Sequence, residues 1–340
     1  MYPVSVLMSV YNGESYLQEA VESILNQSFR DFEFIIVDDG STDRSKEILD
    51  TYKDPRIVRL VHEHNKGLIP ALNYGLSIAQ GKLIARQDAD DISMPNRLEK
   101  QVQLFKANPY LILCGSAYYE IDESGNTKEL HKYPENDTAI RWHMMFHTGF
   151  CHTSVMLRSD VLRKHNLFYS AEAFHAEDFE LWSKVLDYGQ GTNTSFPLVK
   201  HRSHGEQVSN RQSDCQRRTA NGIVRARLKK LGFYVTDEDI DTLRNWYIKM
   251  PTQLTEDDLE HCFLLLRVFN VFSQDESLKS QDLRVLRFRL FHRILNAFSL
   301  NQSALVWKSG LIQAMLRQDS LAVLTHLPAR GLSSLKKAFY

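Results

Sequence analysis

Leu83-Ile84-Ala85-Arg86-Gln87-Asp88-Ala89-Asp90-Asp91 decides how this chain folds. An apolar run ends in three carboxylates, and Pro95 follows closely. That order predicts a buried strand, an acidic turn and then a helix opened by proline. Carboxylates crowded at a strand's C-terminal end repel one another, and a fold tolerates them where positive charge sits. A hard divalent cation with oxygen ligands, shared with a substrate phosphate, is a common source of that charge. The competing reading is a solvated acidic turn that caps a helix, because D-x-D by itself is short and common.

Toward the N-terminus, strand and helix signals alternate. Val4–Val10 is β-branched and apolar, Tyr11-Asn12-Gly13-Glu14 reads as a turn, and Ser15 as the N-cap of a helix reaching Gln27. Phe34-Ile35-Ile36-Val37 is a second strand ending at Asp38-Asp39-Gly40-Ser41, and Ile57–Val61 a third. Helices are expected over Thr42–Tyr52 and Leu68–Ala79. Strands alternating with helices of this length imply right-handed crossovers and a mostly parallel sheet, with ligands beyond the strands' C-terminal ends. Asp38/Asp39 and Asp88/Asp90 fall at two such ends. Toward the C-terminus a helix reaches Ala107, strand signals cover Leu111–Ile121 and Ser154–Leu157, and a helix opens at Ala176-Glu177-Asp178. After about Asn210 the pattern is helical: Gln216–Leu231, Glu238–Ile248, Glu256–Phe272 and Leu283–Phe298. The expected division is therefore 1–210 and 211–340.

The 340 residues are 43% hydrophobic and 24% charged, with a formal net charge of -1. A chain of this kind buries a full core in one or two domains, and its bulk charge points to no nucleic-acid partner. Cys114, Cys151, Cys215 and Cys262 are scattered and form no C-x-x-C pair, so buried or free thiols in a reducing compartment are expected, with neither zinc site nor disulfide framework. No signal peptide or spanning stretch is visible, which places the protein in the cytoplasm.

Read in order, the strand-end motifs are Ser9-Val10-Tyr11-Asn12, Val37-Asp38-Asp39-Gly40-Ser41-Thr42-Asp43, Asn65-Lys66-Gly67, Ala71-Leu72-Asn73-Tyr74-Gly75, Asp88-Ala89-Asp90-Asp91 and Glu177-Asp178. This succession closely resembles the family 2 glycosyltransferases, over roughly residues 3 to 210. The resemblance implies a GT-A fold, a Rossmann-like, mostly parallel sheet flanked by helices, here followed by a C-terminal helical region. It also implies an inverting, metal-dependent transfer of sugar from a nucleotide-sugar, UDP-linked in the first instance. The acceptor would be a glycan or lipid-linked glycan in surface polysaccharide assembly, capsule or lipopolysaccharide.

On that resemblance, Ser9, Tyr11, Asn12 and the Asp38-Asp39 pair form the nucleotide pocket, with a carboxylate accepting from the uracil N3–H and an aromatic face stacking on the base. Lys66 faces nucleotide or phosphate. Asp88 and Asp90, with Ala89 between them at the nucleotide, hold Mg²⁺ or Mn²⁺, which bridges the two phosphates. Which of Asp88, Asp90 and Asp91 touch the ion is left open. Asp178 is the candidate base that takes the acceptor's proton, at a partly apolar site that raises its pKa, and Glu177 could instead orient the acceptor. His204 is the candidate late metal ligand. Arg202 and Asp91 are placed at phosphate, and His152 and Trp182 at the acceptor pocket. Gln87 stands where family members often carry an apolar residue; lying beside the motif, it implies no loss of function. His143 and His147, spaced i, i+4 without H-E-x-x-H, read as packed histidines and not as zinc ligands.

The tail from Leu283 onward is basic, with Arg284, Arg289, Arg293, Lys308, Arg330, Lys336 and Lys337 against the single acid Asp319. Arg289, His292, Arg293 and Asn296 share one arc of a helix whose other positions include Phe288, Leu290, Phe291 and Phe298. Such a helix either packs on a core with snorkelling arginines or lies on the anionic inner face of the cytoplasmic membrane. Two other enzyme classes are disfavoured. A dinucleotide oxidoreductase needs G-x-G-x-x-G after the first strand, and a nucleotidylyltransferase a glycine-rich basic loop; Tyr11-Asn12-Gly13-Glu14 is neither. The alternative within the fold is a non-catalytic nucleotide-sugar-binding or scaffold protein.

Overall fold

A computed structural model describes residues 2–205, 213–251, 254–255, 257–297 and 310–318. The first half runs β1 (Val4–Val10), α1 (Leu17–Leu25), β2 (Phe32–Asp38), α2 (Ser45–Thr51), β3 (Ile57–Val61), α3 (Leu68–Ile78), β4 (Leu83–Asp88), β5 (Ile92–Ser93) and α4 (Arg97–Ala107). There follow β6 (Leu111–Ile121), β7 (Thr127–His131), α5 (Asp137–His143), β8 (Met156–Arg158), α6 (Ser159–Lys164), α7 (Glu177–Val185) and β9 (Gln190–Arg202). Then come α8 (Ser213–Lys230), α9 (Asp237–Ile248), α10 (Leu259–Phe272), α11 (Ser280–Ala297) and α12 (Leu311–Gln318).

β1, β2 and β4 are buried at nearly every position, as parallel strands covered on both faces are. Their side chains meet Leu17, Ala20, Val21 and Ile24 of α1, an i, i+3, i+4, i+7 stripe, in one core. Ser15 does not cap α1. The helix begins at Leu17, and the Tyr16 and Leu17 N–H groups donate to Gly13 O at 3.0 and 2.9 Å.

The sheet order is β3-β2-β1-β4-β8-β6-β9-β5, with β7 paired to β6. β3, β2, β1 and β4 are mutually parallel, and β6 is parallel to β9. The short β8 enters antiparallel between β4 and β6. β5 follows β4 within a few residues yet pairs antiparallel with β9. The acidic turn between β4 and β5 is therefore carried to the C-terminal end of β9, with Ile92 opposite Lys200. The sequence reading identified neither β7 nor β9, the latter a strand of 13 residues.

By compactness the chain divides into Met1–Met144 with Thr148–Ala220, and Met145–His147 with Asn221–Tyr340. In the second unit, α9 opens on a capping box in which Thr236 and Asp239 bond reciprocally. α10 buries Leu259, Cys262, Leu264, Leu265, Leu266, Val268, Phe269 and Phe272. On α11, Arg293 turns inward and its guanidinium donates to Tyr247 O at 2.8 Å and to Trp246 O, carbonyls in the last turn of α9. Arg284, Arg289 and His292 are exposed, as is Phe288 at 42%. Phe298, Lys308, Arg330, Lys336 and Lys337 lie outside the described residues. No described helix is long and apolar enough to cross a membrane. Cys114, Cys151 and Cys262 are buried, Cys215 is exposed, and all four are free thiols.

At the α3–β4 junction, Gly81 N donates to Ser5 Oγ at 2.8 Å, and Ser5 Oγ donates to the buried Glu33 at 2.5 Å. A Cβ on Gly81 would lie 2.3 Å from Ser5 N, a backbone atom inside the sheet. Gly81→Ala is expected to lower the unfolding free energy by about 1–3 kcal/mol. An unchanged urea midpoint would show that this close approach is not a constraint.

Candidate active site

Parallel register brings the strand ends together: Ser9 lies opposite Asp88, and Val10 opposite Asp38. Beyond that edge, Asn12 holds a left-handed conformation (φ 51°), its N–H donating to Ser41 Oγ at 3.1 Å and its Oδ1 accepting from Thr42 N at 2.8 Å. The Tyr11-Asn12 turn and the Asp38–Thr42 turn are thereby knitted together. Tyr11 projects from them 48% exposed. Asp38 and Asp39 are each only 2% exposed. Asp38 accepts from Ser41 N at 3.0 Å and lies 3.6 Å from Arg59 Nη2. Asp39 meets His62 Nδ1 at 2.6 Å and accepts from Lys66 N and Gly67 N, the latter at 2.8 Å. Contrary to the expectation of a carboxylate open to a base, both are spent inside the fold, where they shape the loops. The Lys66 side chain is exposed.

The Asp88–Asp91 turn carries its own counter-charge. The buried Arg86 guanidinium donates to Asp88 Oδ1 at 2.5 Å and to His152 Nε2 at 3.2 Å. Burial opposes ionisation of Asp88, but Arg86, His152, His201 and Arg97 outweigh it and hold its pKa below the usual value. Asp90 Oδ2 lies 3.0 Å from His204 Nε2, whose ring packs 5.3 Å from Tyr16. Asp91 is fully buried, accepts from Arg202 N at 2.8 Å, and pairs with His201 Nδ1 at 3.0 Å. Burial pushes Asp91 up to about 6. Burial alone would lower His201, but the Asp91 carboxylate overrides it and raises the imidazole to about 9.

Two expected phosphate contacts are corrected by this geometry. Asp91 faces inward and has no open oxygen. Arg202 is 1% exposed; its guanidinium donates to Glu19 Oε2 at 2.5 Å, Asp90 O at 3.0 Å and Glu123 O at 3.0 Å, and lies 4.4 Å over the Tyr16 ring. It clamps the turn from beneath. Asp88, Asp90 and His204 remain at the surface of the turn, all partly exposed. Two carboxylates and an imidazole are a donor set that suits Mg²⁺ or, with its nitrogen, Mn²⁺. Among the described residues no three such side chains stand in a ready-made metal cage.

On the adjoining side, Glu177 and Asp178 open α7. Burial, then the neighbouring Asp178, raises Glu177 to about 7. Burial raises Asp178 to about 6, and the Asp88 charge adds to the shift, so the two clusters feel one another. His152 sits beside Asp88, its Nδ1 3.8 Å from Asp88 Oδ2, and burial and Arg86 lower it to about 4, which keeps it neutral. His152 stays partly exposed there, its ring 6.1 Å from Tyr169. Trp182 is fully buried, its ring centroid 6.0 Å from Tyr169, and presents no surface to an acceptor. His147 donates from Nε2 to Arg244 O at 2.8 Å, and His143 meets Tyr133 edge-on, so neither is arranged for zinc.

Gln87, Arg97 and Arg86 were missed as parts of the site. Gln87 Nε2 donates to Asp88 O and Asp91 O at 3.0 and 2.8 Å, so one amide spans the acidic turn. Its Oε1 accepts from Ser93 Oγ at 2.6 Å and from the fully buried Arg97 at 3.0 Å. The available signal was two polar residues, Arg86 and Gln87, ending an otherwise apolar strand.

The family model described as Glycosyl transferase family 2 matches residues 5–165. An uncharacterized glycosyltransferase of Haemophilus influenzae is 30% identical over 321 residues, 90% of this chain and 95% of the relative. The O-antigen biosynthesis glycosyltransferase WbnJ of Escherichia coli is 31% identical over 208 residues, 60% of this chain and 80% of that one. Among solved structures, S. aureus TarS 1-349 in complex with UDP shares the fold at TM-score 0.54 and 16% identity, covering 86% of this chain and 87% of that one. The mannosyltransferase PcManGT from Pyrobaculum calidifontis, in complex with GDP-Man and Mn²⁺, does so at TM-score 0.51 and 14% identity, over 95% and 86%. Both neighbours support the GT-A arrangement expected from the sequence.

Replacing Gln87 by leucine removes the amide that spans the turn and an acceptor of a buried guanidinium. Gln87→Leu is expected to cost about 2–4 kcal/mol of stability, read by urea unfolding. A loss below about 0.5 kcal/mol, the level of a neutral surface change, would show that the turn holds without it.

Proposed function

This chain belongs to glycosyltransferase family 2, and from that premise we propose that it transfers a sugar, with inversion, from a nucleotide-sugar to a glycan or lipid-linked glycan acceptor in surface polysaccharide biosynthesis. The observation that carries the reading is the pairing of two carboxylate clusters with opposite electrostatics at one sheet edge. Asp88 is held ionised by Arg86, while Asp178 is held near neutrality by burial. One end suits a cation and a diphosphate; the other suits a proton acceptor.

In this reading Ser9, Tyr11, Asn12, Lys66, Asp88 and Ala89 surround the nucleotide, with Tyr11 stacked on the base and Asp38 and Asp39 fixing the loops. Asp88, Asp90 and His204 would hold Mn²⁺ or Mg²⁺, which when bound would supply positive charge at a diphosphate leaving group. Asp178 takes the proton of the attacking acceptor hydroxyl, and Glu177 orients that acceptor. UDP is the proposed donor nucleotide; the UDP bound in TarS supports it, and the GDP-Man bound in PcManGT makes GDP the competitor to test. The proposed catalytic portion is 1–210 and the helical portion 211–340. The proposed setting is the cytoplasm, at the inner face of the membrane, to which the exposed Arg284 and Arg289 of α11 would be attracted.

Calorimetric titration of UDP and GDP, with and without Mn²⁺, tests the donor end. UDP binding is expected to strengthen with Mn²⁺ in wild type and to lose that gain in Asp90→Ala. Failure of both nucleotides to bind, with or without metal, would overturn the reading in favour of a scaffold.

The base is tested by pH. Because Asp178 titrates near 6 in the fold, transfer is expected to rise as the pH climbs through that value and to level above it. Asp178→Asn is expected to lose about 10²- to 10⁴-fold at every pH. A full-rate Asn variant would remove Asp178 from the chemistry. The same shift makes folding weaker with rising pH. A folded pKa above the unfolded one stabilises only while the group stays protonated, and that contribution fades between about 4 and the folded value.

A further inference from the structure

Arg86 lies near the end of β4 with its guanidinium held at four points. It donates to Asp88 Oδ1 at 2.5 Å, His152 Nε2 at 3.2 Å, Leu7 O at 3.2 Å and Gln87 O. The side chain is 1% exposed, so its charge is poorly screened by solvent. Arg97 stands directly behind it, fully buried, and donates to Arg86 O at 2.7 Å and Gln87 Oε1 at 3.0 Å. Two buried guanidiniums therefore face the three carboxylates of the turn. Asp91 is also paired with His201, and Arg202 is balanced by Glu19.

That balance bears on how the turn takes a cation. Asp88 and Asp90 are the carboxylates left partly open, at 25% and 29% exposure. One Asp88 oxygen is already given to Arg86, and Asp90 Oδ2 lies 3.0 Å from His204 Nε2. An ion on the other Asp88 oxygen would share one carboxylate with a buried guanidinium. Positive charges that close repel strongly where water screens them little. Net of Arg86, the two open carboxylates present a single negative charge to a divalent ion. A nucleoside diphosphate supplies what is missing, because its oxygens complete both the coordination and the charge.

We propose that Arg86 makes cation binding conditional on the diphosphate: acting through Asp88, it keeps the turn from holding a divalent ion alone and lets it hold one together with a nucleoside diphosphate. This rests on the glycosyltransferase reading above. The test titrates Mn²⁺ into the full chain and follows free Mn²⁺ by EPR. The titration is run with and without saturating UDP, or GDP should that be the nucleotide bound, and Mn²⁺ held by nucleotide is subtracted from protein-free controls. In wild type the nucleotide is expected to tighten Mn²⁺ about tenfold or more. Arg86→Gln removes the charge but keeps a donor for Asp88, and Arg86→Met is a second neutral variant. Each is expected to bind Mn²⁺ alone about tenfold tighter than wild type and to gain less from nucleotide. Arg86→Lys keeps the charge and is expected to bind Mn²⁺ alone as weakly as wild type. A gain of affinity cannot come from a damaged fold, and a cooperative urea transition checks each variant. Equal Mn²⁺ affinity with and without nucleotide in wild type overturns the proposal. So does a folded neutral variant that gains nothing, or an Arg86→Lys variant that gains as much as Arg86→Gln. Failure of both nucleotides to bind wild type would instead bring down the underlying glycosyltransferase reading, and this coupling with it.

Discussion

Positive charge beneath the Asp88–Asp91 turn is the constraint on which the rest of the site depends. Two unit charges 4 Å apart interact by about 4 kcal/mol at the effective dielectric near a protein surface. Three carboxylates within four residues therefore need partners wherever they are not fully solvated. Asp88 has Arg86, Asp90 has His204, and Asp91 has His201 and the Arg202 N–H. Arg97 lies behind them, satisfied by Gln87, Ser93 and the carbonyls of Arg86 and Val155. The crowded acids alone do not demand a metal, because the fold already supplies each with a hydrogen-bonding partner. What supports a metal is narrower: Asp88, Asp90 and His204 stay partly open while Asp91 is sealed.

That constraint also explains the sheet. His201, Arg202 and His204 come from the end of β9 and the residues just after it, more than a hundred positions after the turn they neutralise. β5 pairs with β9 and holds the two together. β9, which completes the site, is thus tied to it by charge as much as by its ladder. Arg202, with its aromatic neighbour Tyr16 and its partner Glu19, links that strand to α1 as well.

The parallel half of the fold was legible because β1, β2 and the start of β4 are apolar runs and the strand-end acids mark where the strands stop. β9 was not. Its residues Gln190–Arg202 include Gly191, Asn193 and Pro197 and show no alternation, and its register against β6 shifts around Pro197. β8 was read early because Ser154 belongs to a single 3-10 turn that precedes it. The carboxylates do fall where the apolar runs stop, but sequence could not show that Asp38 and Asp39 turn inward. That depends on His62, Lys66 and Gly67 closing over Asp39. Arg202 was misassigned for a related reason. A basic residue beside a histidine near the end of the catalytic portion reads as a phosphate ligand until its guanidinium is seen to be fully engaged.

The division of labour between the two acidic clusters follows from their surroundings. Asp88 and Asp178 have the same intrinsic acidity and lie close enough to raise one another's cost of ionisation. A buried guanidinium bonded to Asp88 carries it through that cost, whereas Asp178 has only backbone N–H groups and a Thr148 hydroxyl to offset burial. The fold thereby separates one carboxylate that stays charged in the acid range from one that exchanges its proton near neutrality. A site meant only to bind would gain nothing from a carboxylate raised by burial beside one lowered by a guanidinium. A site that must hold a diphosphate and also remove a proton needs both.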